Sequence, residues 1–342
     1  MPARISAIAT LVPEHRISQH EVRDHIASAM PGGMPAGLAR IFERTGIDQR
    51  HLIQPPAAYL SGQDFAARNA VYLRNGQELL EKVATKALAQ AGLEPGQVDM
   101  IVGVSSTGIA TPSMPSQMLH GMGFRPETPV VPLFGYGCAG GILGLQVAGD
   151  MVKADPARTV LLLTLELCSL AFRIADQDKK DIIASTLFAD GASAIVLRGA
   201  GDGPALGKIA QHSWPGTRSM MGWNIDRDGL GLMLSRDIPS FVRQQFAPVI
   251  GRFLADQGIA SHTLAEPACH PGGRKVIEAL EGCFDHLPDG LATTRKVLRE
   301  NGNMSAPTIH FVLEELLERD SGPLLMTALG PGFTGAIGII ER

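Results

Sequence analysis

Short runs of apolar, β-branched residues alternate along the chain with longer stretches whose apolar positions recur every three or four residues. The runs at 101–104, 130–133, 160–165, 192–197, 324–327 and 336–340 read as strands. Helical spacing holds from 69 to 91 and stops at Gly92, a residue type suited to the left-handed position after a helix. Ser18-Gln19-His20-Glu21 has the form of a capping box that opens an earlier helix, and helices also fit 238–256, 275–283 and 306–319. Strands alternating with helices predict an α/β sheet covered by helices. The Gly-rich stretch GAGDGP at 199–204 follows one strand and precedes another, so the chain divides most naturally into halves at 1–200 and 201–342. No short-period repeat is visible, yet each half ends in a pair of apolar strands, a pattern that permits an internally duplicated, layered fold.

Composition narrows the function more than the fold. With 342 residues and 45% hydrophobic content, the chain can bury a sizeable core in each half. Thirty Lys+Arg stand against 34 Asp+Glu, and no basic block is present to track a phosphate backbone, which argues against nucleic-acid binding. The four cysteines, Cys138, Cys168, Cys269 and Cys283, form no C-x-x-C pair, and a chain of this length does not need disulfides, so reduced thiols are expected. The apolar N-terminal stretch is broken by Pro13 and Glu14 before it reaches leader length, and a cytoplasmic location is the expectation. One run, 129–149, has 21 residues without a charge, about the length that spans a bilayer. It contains Pro129, Pro132 and several glycines, and reads better as a buried strand, a tight turn and a packed helix than as a membrane span.

That run carries the first chemical pattern, Gly135-Tyr136-Gly137-Cys138-Ala139-Gly140-Gly141. A cysteine on a strand-to-helix turn has helix N–H groups and the positive dipole end to favour a thiolate, with glycines that let substrate approach; a small cysteine in a packing turn is the plain alternative. The second pattern is Cys269-His270-Pro271-Gly272-Gly273, where His270 is either a general base for a thiol or a structural histidine. In the third, Gly302-Asn303-Met304-Ser305-Ala306-Pro307, Asn303 stands where an N-cap asparagine could also stand. Metal binding is not expected, because the cysteines and histidines lack ligand spacing; no redox cofactor is expected, because no dinucleotide glycine fingerprint follows a strand.

Together these motifs resemble the type III polyketide synthases, the chalcone and stilbene synthase family of thiolase-fold condensing enzymes. The resemblance spans nearly the whole chain: GCAGG around Cys138, ELCSLAFR from Glu166, LFADGASA from Leu187, HPGG after Cys269, GNMSAP from Gly302 and GPG at Gly330, Pro331 and Gly332. HPGG with GNMS is the specific pair, since priming β-ketoacyl synthases share a Cys-His-Asn set but surround it with other residues. The resemblance implies a thiolase-like αβαβα layered fold of two related halves, a homodimer, and no cofactor beyond coenzyme A thioesters as substrates. It implies a Cys138–His270–Asn303 triad, with Cys138 paired to His270 as thiolate–imidazolium and acylated by an acyl-CoA starter. His270 and Asn303 then stabilise the enolate formed from malonyl-CoA.

Further positions follow from the same resemblance. Phe188 matches one gatekeeper position, while Leu232 takes the place of the second gatekeeper ring. Cys168 and Ala171 fall where the family lines its initiation pocket, Trp223 where chalcone-forming relatives have glycine, and Ser305 within the GNMS motif. Ala328 replaces the first glycine of the Gly-rich loop. Arg44 and Arg50 fall near cations that face coenzyme A, though a solvated basic face explains them better and neither is assigned a role. Leu232 with the small residues at 168 and 171 leads to the expectation of a fatty acyl starter and an alkylresorcinol or alkylpyrone product, with naphthalene- or phloroglucinol-type products from malonyl-CoA alone left open. The rival readings are a priming β-ketoacyl synthase and a catalytically silent scaffold.

Overall fold

The computed structural model describes residues 1–30, 32–173, 179–284, 286–287, 289–319 and 322–342. The first half contains β1 (Arg4–Leu11), β2 (His15–Ser18), α1 (Gln19–Ala29), α2 (Ala36–Glu43), β3 (Gln49–Leu52), α3 (Phe65–Gln90), β4 (Met100–Val104) and α4 (Met114–Met122). It continues through β5 (Val130–Leu133), α5 (Gly140–Ala154), β6 (Val160–Leu167), α6 (Lys179–Leu187) and β7 (Asp190–Arg198). The second half contains β8 (Ala205–Ser213), β9 (Met221–Asp226), β10 (Gly229–Leu234), α7 (Ile238–Phe241), α8 (Ala247–Asp256) and β11 (Ala268–Cys269). It closes with α9 (Arg274–Glu281), α10 (Ala292–Asn301), α11 (Thr308–Leu317), β12 (Leu324–Gly330) and β13 (Thr334–Glu341).

Nine strands form one mixed sheet in the order β11-β12-β13-β8-β1-β7-β6-β4-β5. Its pairing repeats. From β4 the neighbours β6, β7 and β1 join parallel, antiparallel and antiparallel, and from β11 the neighbours β12, β13 and β8 join in the same sequence. The two sets meet at a β1–β8 contact with Arg4 opposite Ala205. The turn between β7 and β8 holds the 200/201 boundary drawn from sequence.

Alternation along the strands sorts the layers, because successive side chains point to opposite faces. Val102, Val104, Leu162, Ile195 and Leu197 share a core with Ile142 and Leu145 of α5, Ile309 and Val312 of α11, and Met326, Ala336 and Ile340 from the other half. On the opposite face, Leu161, Leu163, Ala194 and Val196 pack against Leu80, Val83 and Ala87 of α3. Leu325, Ile337 and Ile339 pack against Ile250 of α8, Ile277 of α9 and Leu298 of α10. Helices, one part of the sheet, central helices, the other part of the sheet, helices is therefore the order of layers, as the expected thiolase-like fold requires. Each fully buried aliphatic side chain in these cores contributes about 1.5–3 kcal/mol. The two central helices approach closely because a Cβ on Gly141 would lie 2.5 Å from the Ala306 carbonyl.

Several expectations shift in detail. The uncharged run becomes β5, a turn and α5, and among the described residues no helix is long and apolar enough to cross a membrane. The capping box at Ser18 and Glu21 is present in both directions, and Gly92 adopts φ +64° after α3. The apolar N-terminal stretch is β1, in the middle of the sheet. The helix expected over 238–256 is interrupted by a π turn at Val242–Phe246, just before Pro248, which lacks the N–H that a continuous α-helix would use.

Candidate active site

Cys138 sits in a 3-10 turn, Gly137–Ala139, between β5 and α5, and is buried. His270 follows β11, and its backbone N–H extends the β11–β12 ladder to the Thr327 carbonyl at 2.8 Å. Asn303 follows α10, with its N–H on the Leu187 carbonyl at 3.0 Å and its carbonyl accepting the Ala189 N–H at 2.8 Å. Three motifs from distant parts of the sequence thus meet, and Cys138, His270, Asn303 and Phe188 line one cavity of about 610 Å³.

The Asn303 side chain is not an N-cap, since α11 begins only at Thr308 and its cap residue is Pro307. Instead its Oδ1 accepts the Ser305 N–H at 2.8 Å. That bond leaves the NH2 group as the free end of the amide, and this end supports a negative charge on the Cys138 sulfur. Ser305 adopts φ +59°, a left-handed conformation, which brings its Oγ 3.6 Å from the Cys138 thiol that donates to it.

Burial opposes the expected thiolate–imidazolium pair in the empty site. Burial pushes the Cys138 thiol up to about 12, against the help of Ser305 and Asn303. Burial likewise drops the His270 imidazole to about 3. Neither ring nitrogen of His270 has a hydrogen-bond partner among the described residues. Burial therefore favours the neutral form of both groups in the empty site, and the thiolate is favoured only as the proton passes on.

Glu166 was passed over in the sequence, although it is the one charged side chain in the apolar run that forms β6. It is fully buried; its Oε2 accepts the Ser106 N–H at 2.9 Å. Burial raises it to about 7 while the hydroxyls of Thr107, Ser305 and Ser106 oppose the rise, and its charge pushes the Cys138 pKa upward. Ser305 thus stands between the nucleophile and a buried carboxyl.

The other predicted pocket residues, Cys168, Ala171, Trp223, Leu232, Ser305, Gly330, Pro331 and Gly332, are not among the residues that line this cavity. Cys168 and Ala171 lie buried on a 3-10 turn after β6, and Cys168, Phe188 and partly buried Leu232 share one apolar cluster. Trp223 is opposite Leu232 across the β9–β10 hairpin, with Nε1 donating to the Ser106 carbonyl at 2.8 Å. Gly330 packs under the nucleophile turn, where a Cβ would meet the Tyr136 carbonyl at 2.4 Å. Arg50 is no part of a solvated face: it is wholly buried. Arg44 does line the cavity, with Arg40, Arg236 and Lys275, all exposed, while Arg274 is ion-paired to Glu278 at 3.6 Å.

Two family models together match most of the chain. Residues 15–205 match the family described as FAE1/type III polyketide synthase-like protein, and residues 205–334 match the C-terminal domain of chalcone and stilbene synthases. The chain is 35% identical to a 1,3,6,8-tetrahydroxynaphthalene synthase of Streptomyces peucetius subsp. caesius, covering 96% of this chain and 90% of that protein. It is 26% identical to an alpha-pyrone synthesis polyketide synthase-like protein of Mycobacterium tuberculosis, covering 97% of this chain and 89% of that one. The crystal structure of 1,3,6,8-tetrahydroxynaphthalene synthase from Streptomyces coelicolor superimposes with a TM-score of 0.93 at 27% identity, covering 99% of each chain.

Proposed function

Because this chain belongs to the type III polyketide synthase family, we propose that Cys138 carries the growing acyl chain and that His270 and Asn303 activate malonyl-CoA. The Cys138 sulfur, its proton passed to His270, attacks the starter thioester; a new thioester forms and coenzyme A leaves as thiol. Loss of carbon dioxide from malonyl-CoA then gives an enolate, whose oxygen receives hydrogen bonds from His270 and the Asn303 NH2. The enolate carbon attacks the acyl thioester, a carbon–carbon bond forms, and the Cys138 sulfur departs. The observation carrying this reading is the Asn303 Oδ1 bond to the Ser305 N–H, which leaves a neutral donor and no acceptor at that end of the amide.

For the product, the relatives named tetrahydroxynaphthalene synthase favour malonyl-CoA as both starter and extender, giving a naphthalene-type aromatic. The second reading keeps the fatty acyl starter and the alkylresorcinol or alkylpyrone, and rests on the apolar cavity wall of Ile183, Leu187, Met221, Leu234 and Phe246. Arg40, Arg44, Arg236 and Lys275 at the cavity suit the phosphates of coenzyme A. The four free thiols fit a reducing cytoplasm. A homodimer is supported by the edge strand β5, beside which Ile109 and Phe134 are 49% and 56% exposed. The family match leaves the priming β-ketoacyl synthase reading without support.

The deciding experiment incubates the full chain with malonyl-CoA alone and then with a series of fatty acyl-CoA starters, reading products by mass spectrometry. A product from malonyl-CoA alone selects the first reading. Products only with fatty acyl-CoA select the second, and strict dependence on malonyl-acyl carrier protein overturns both.

A further inference from the structure

Arg50, at the inner end of the β2–β3 pairing, is 0% exposed and has no acidic side chain bonded to it among the described residues. A buried cation without a carboxylate is costly, and here burial lowers its pKa to about 9. Its guanidinium is spent on main-chain carbonyls: Nη1 donates to Ser185 O at 2.5 Å and Phe188 O at 3.1 Å, and Nη2 donates to Thr186 O at 2.9 Å.

Those carbonyls belong to the end of α6, where a helix leaves its last acceptors unpaired and its dipole favours a cation. The carbonyl that Arg50 omits, Leu187 O, accepts the Asn303 N–H. Arg50 and Asn303 therefore divide the four carbonyls from 185 to 188 between them, and Gln19 Nε2 adds a second donor to Thr186 O at 3.0 Å. Phe188 and Asn303 are further joined by an isolated parallel bridge. The loop carrying Asn303 lies directly on Arg50: a Cβ on Gly302 would be 3.5 Å from the Arg50 Cβ and 3.4 Å from Leu187 O.

We propose that Arg50 is a positioning residue for the decarboxylation step, fixing the end of α6 and with it the Asn303 amide and the Phe188 ring. The proposal rests on the donor role given to Asn303. Arginine is suited because its planar fork reaches several carbonyls at once, whereas a lysine ammonium is a compact point charge.

The test compares Arg50→Lys, Asn303→Ala and wild type, each as folded full-length enzyme counted by active-site titration. Two rates are read: carbon dioxide release from saturating malonyl-CoA, and acylation of Cys138 by mass spectrometry. Arg50→Lys should lower decarboxylation about tenfold while loading stays within about threefold, the same split as Asn303→Ala but smaller. A role in stability alone would lower the melting temperature and leave both rates per folded site unchanged, or reduce both equally, and either outcome overturns the proposal. If Arg50→Lys does not fold, Gln19→Leu, which removes the second donor to Thr186 O together with its bonds to Thr45 Oγ1 and Phe42 O, should show the split at about threefold; its absence there overturns the proposal too. No split in Asn303→Ala would instead remove the role given to Asn303, and this inference with it.

Discussion

Pro331 stands so close to Gly137 that a Cβ on the glycine would lie 2.8 Å from the proline Cδ. Gly137 also holds φ +47°, so the turn that presents Cys138 requires glycine on both counts. Gly137→Ala should cost about 2–4 kcal/mol of stability and move the nucleophile. Thermal melting checks the first, and Cys138 acylation per folded molecule, expected to fall, checks the second.

Cys138→Ala should abolish acyl loading, since among the described residues no other thiol lines the cavity. In the wild type, burial holds the thiol well above its ordinary value, so thiolate is scarce at neutral pH. Alkylation of Cys138 by iodoacetamide should therefore rise about tenfold per pH unit from 7 to 10 without a plateau. A plateau near neutrality would mean that the ion pair forms in the empty site after all.

Glu166→Gln removes a charge that raises the Cys138 pKa. Alkylation at pH 8 should become severalfold faster than in the wild type. An unchanged or slower rate, in a protein that melts normally, would place Glu166 too far from the sulfur to act on it.

Asn303→Ala should reduce malonyl decarboxylation by about 10²–10³-fold, as loss of one preorganised donor does elsewhere, with starter loading affected far less. Loading lost as heavily as decarboxylation would mean that Asn303 serves the nucleophile instead.

Trp223→Phe keeps most of the ring bulk but loses the bond from Nε1 to Ser106 O. A stability loss of about 0.5–1.5 kcal/mol is expected. Because Ser106 also donates to Glu166, the product spectrum should shift while Cys138 loads at a near-normal rate. An unchanged spectrum would make Trp223 an ordinary packing residue.

The sequence disclosed the nucleophile turn because it combines glycines, a strand end and an uncharged helix in a single stretch. His270 and Asn303 were legible only through the resemblance, since a lone histidine and a lone asparagine have common structural uses. Glu166 escaped notice because its neighbours in β6 are apolar and nothing local says that Ser106 and Ser305 converge on it. Arg50 looked solvated for the opposite reason: the acceptors that bury it are main-chain carbonyls some 135 positions away, which no side-chain pattern records. The strand β1 was overlooked because its apolar residues were weighed as a leader, and β9–β10 because only Gly229 and Leu230 among its positions are buried.

The repeated strand pairing reaches into the reaction centre. Cys138 comes just before α5, which leads into β6; Asn303 and Ser305 come before α11, which leads into the matching β12. His270 follows β11 as Ser105 follows the matching β4. Matching strand ends and helix starts from the two sets of strands therefore converge on one reaction centre, the first set supplying the nucleophile and the second the donors. Neither set of strands completes the centre by itself, so a shift of one against the other displaces the donors from the nucleophile.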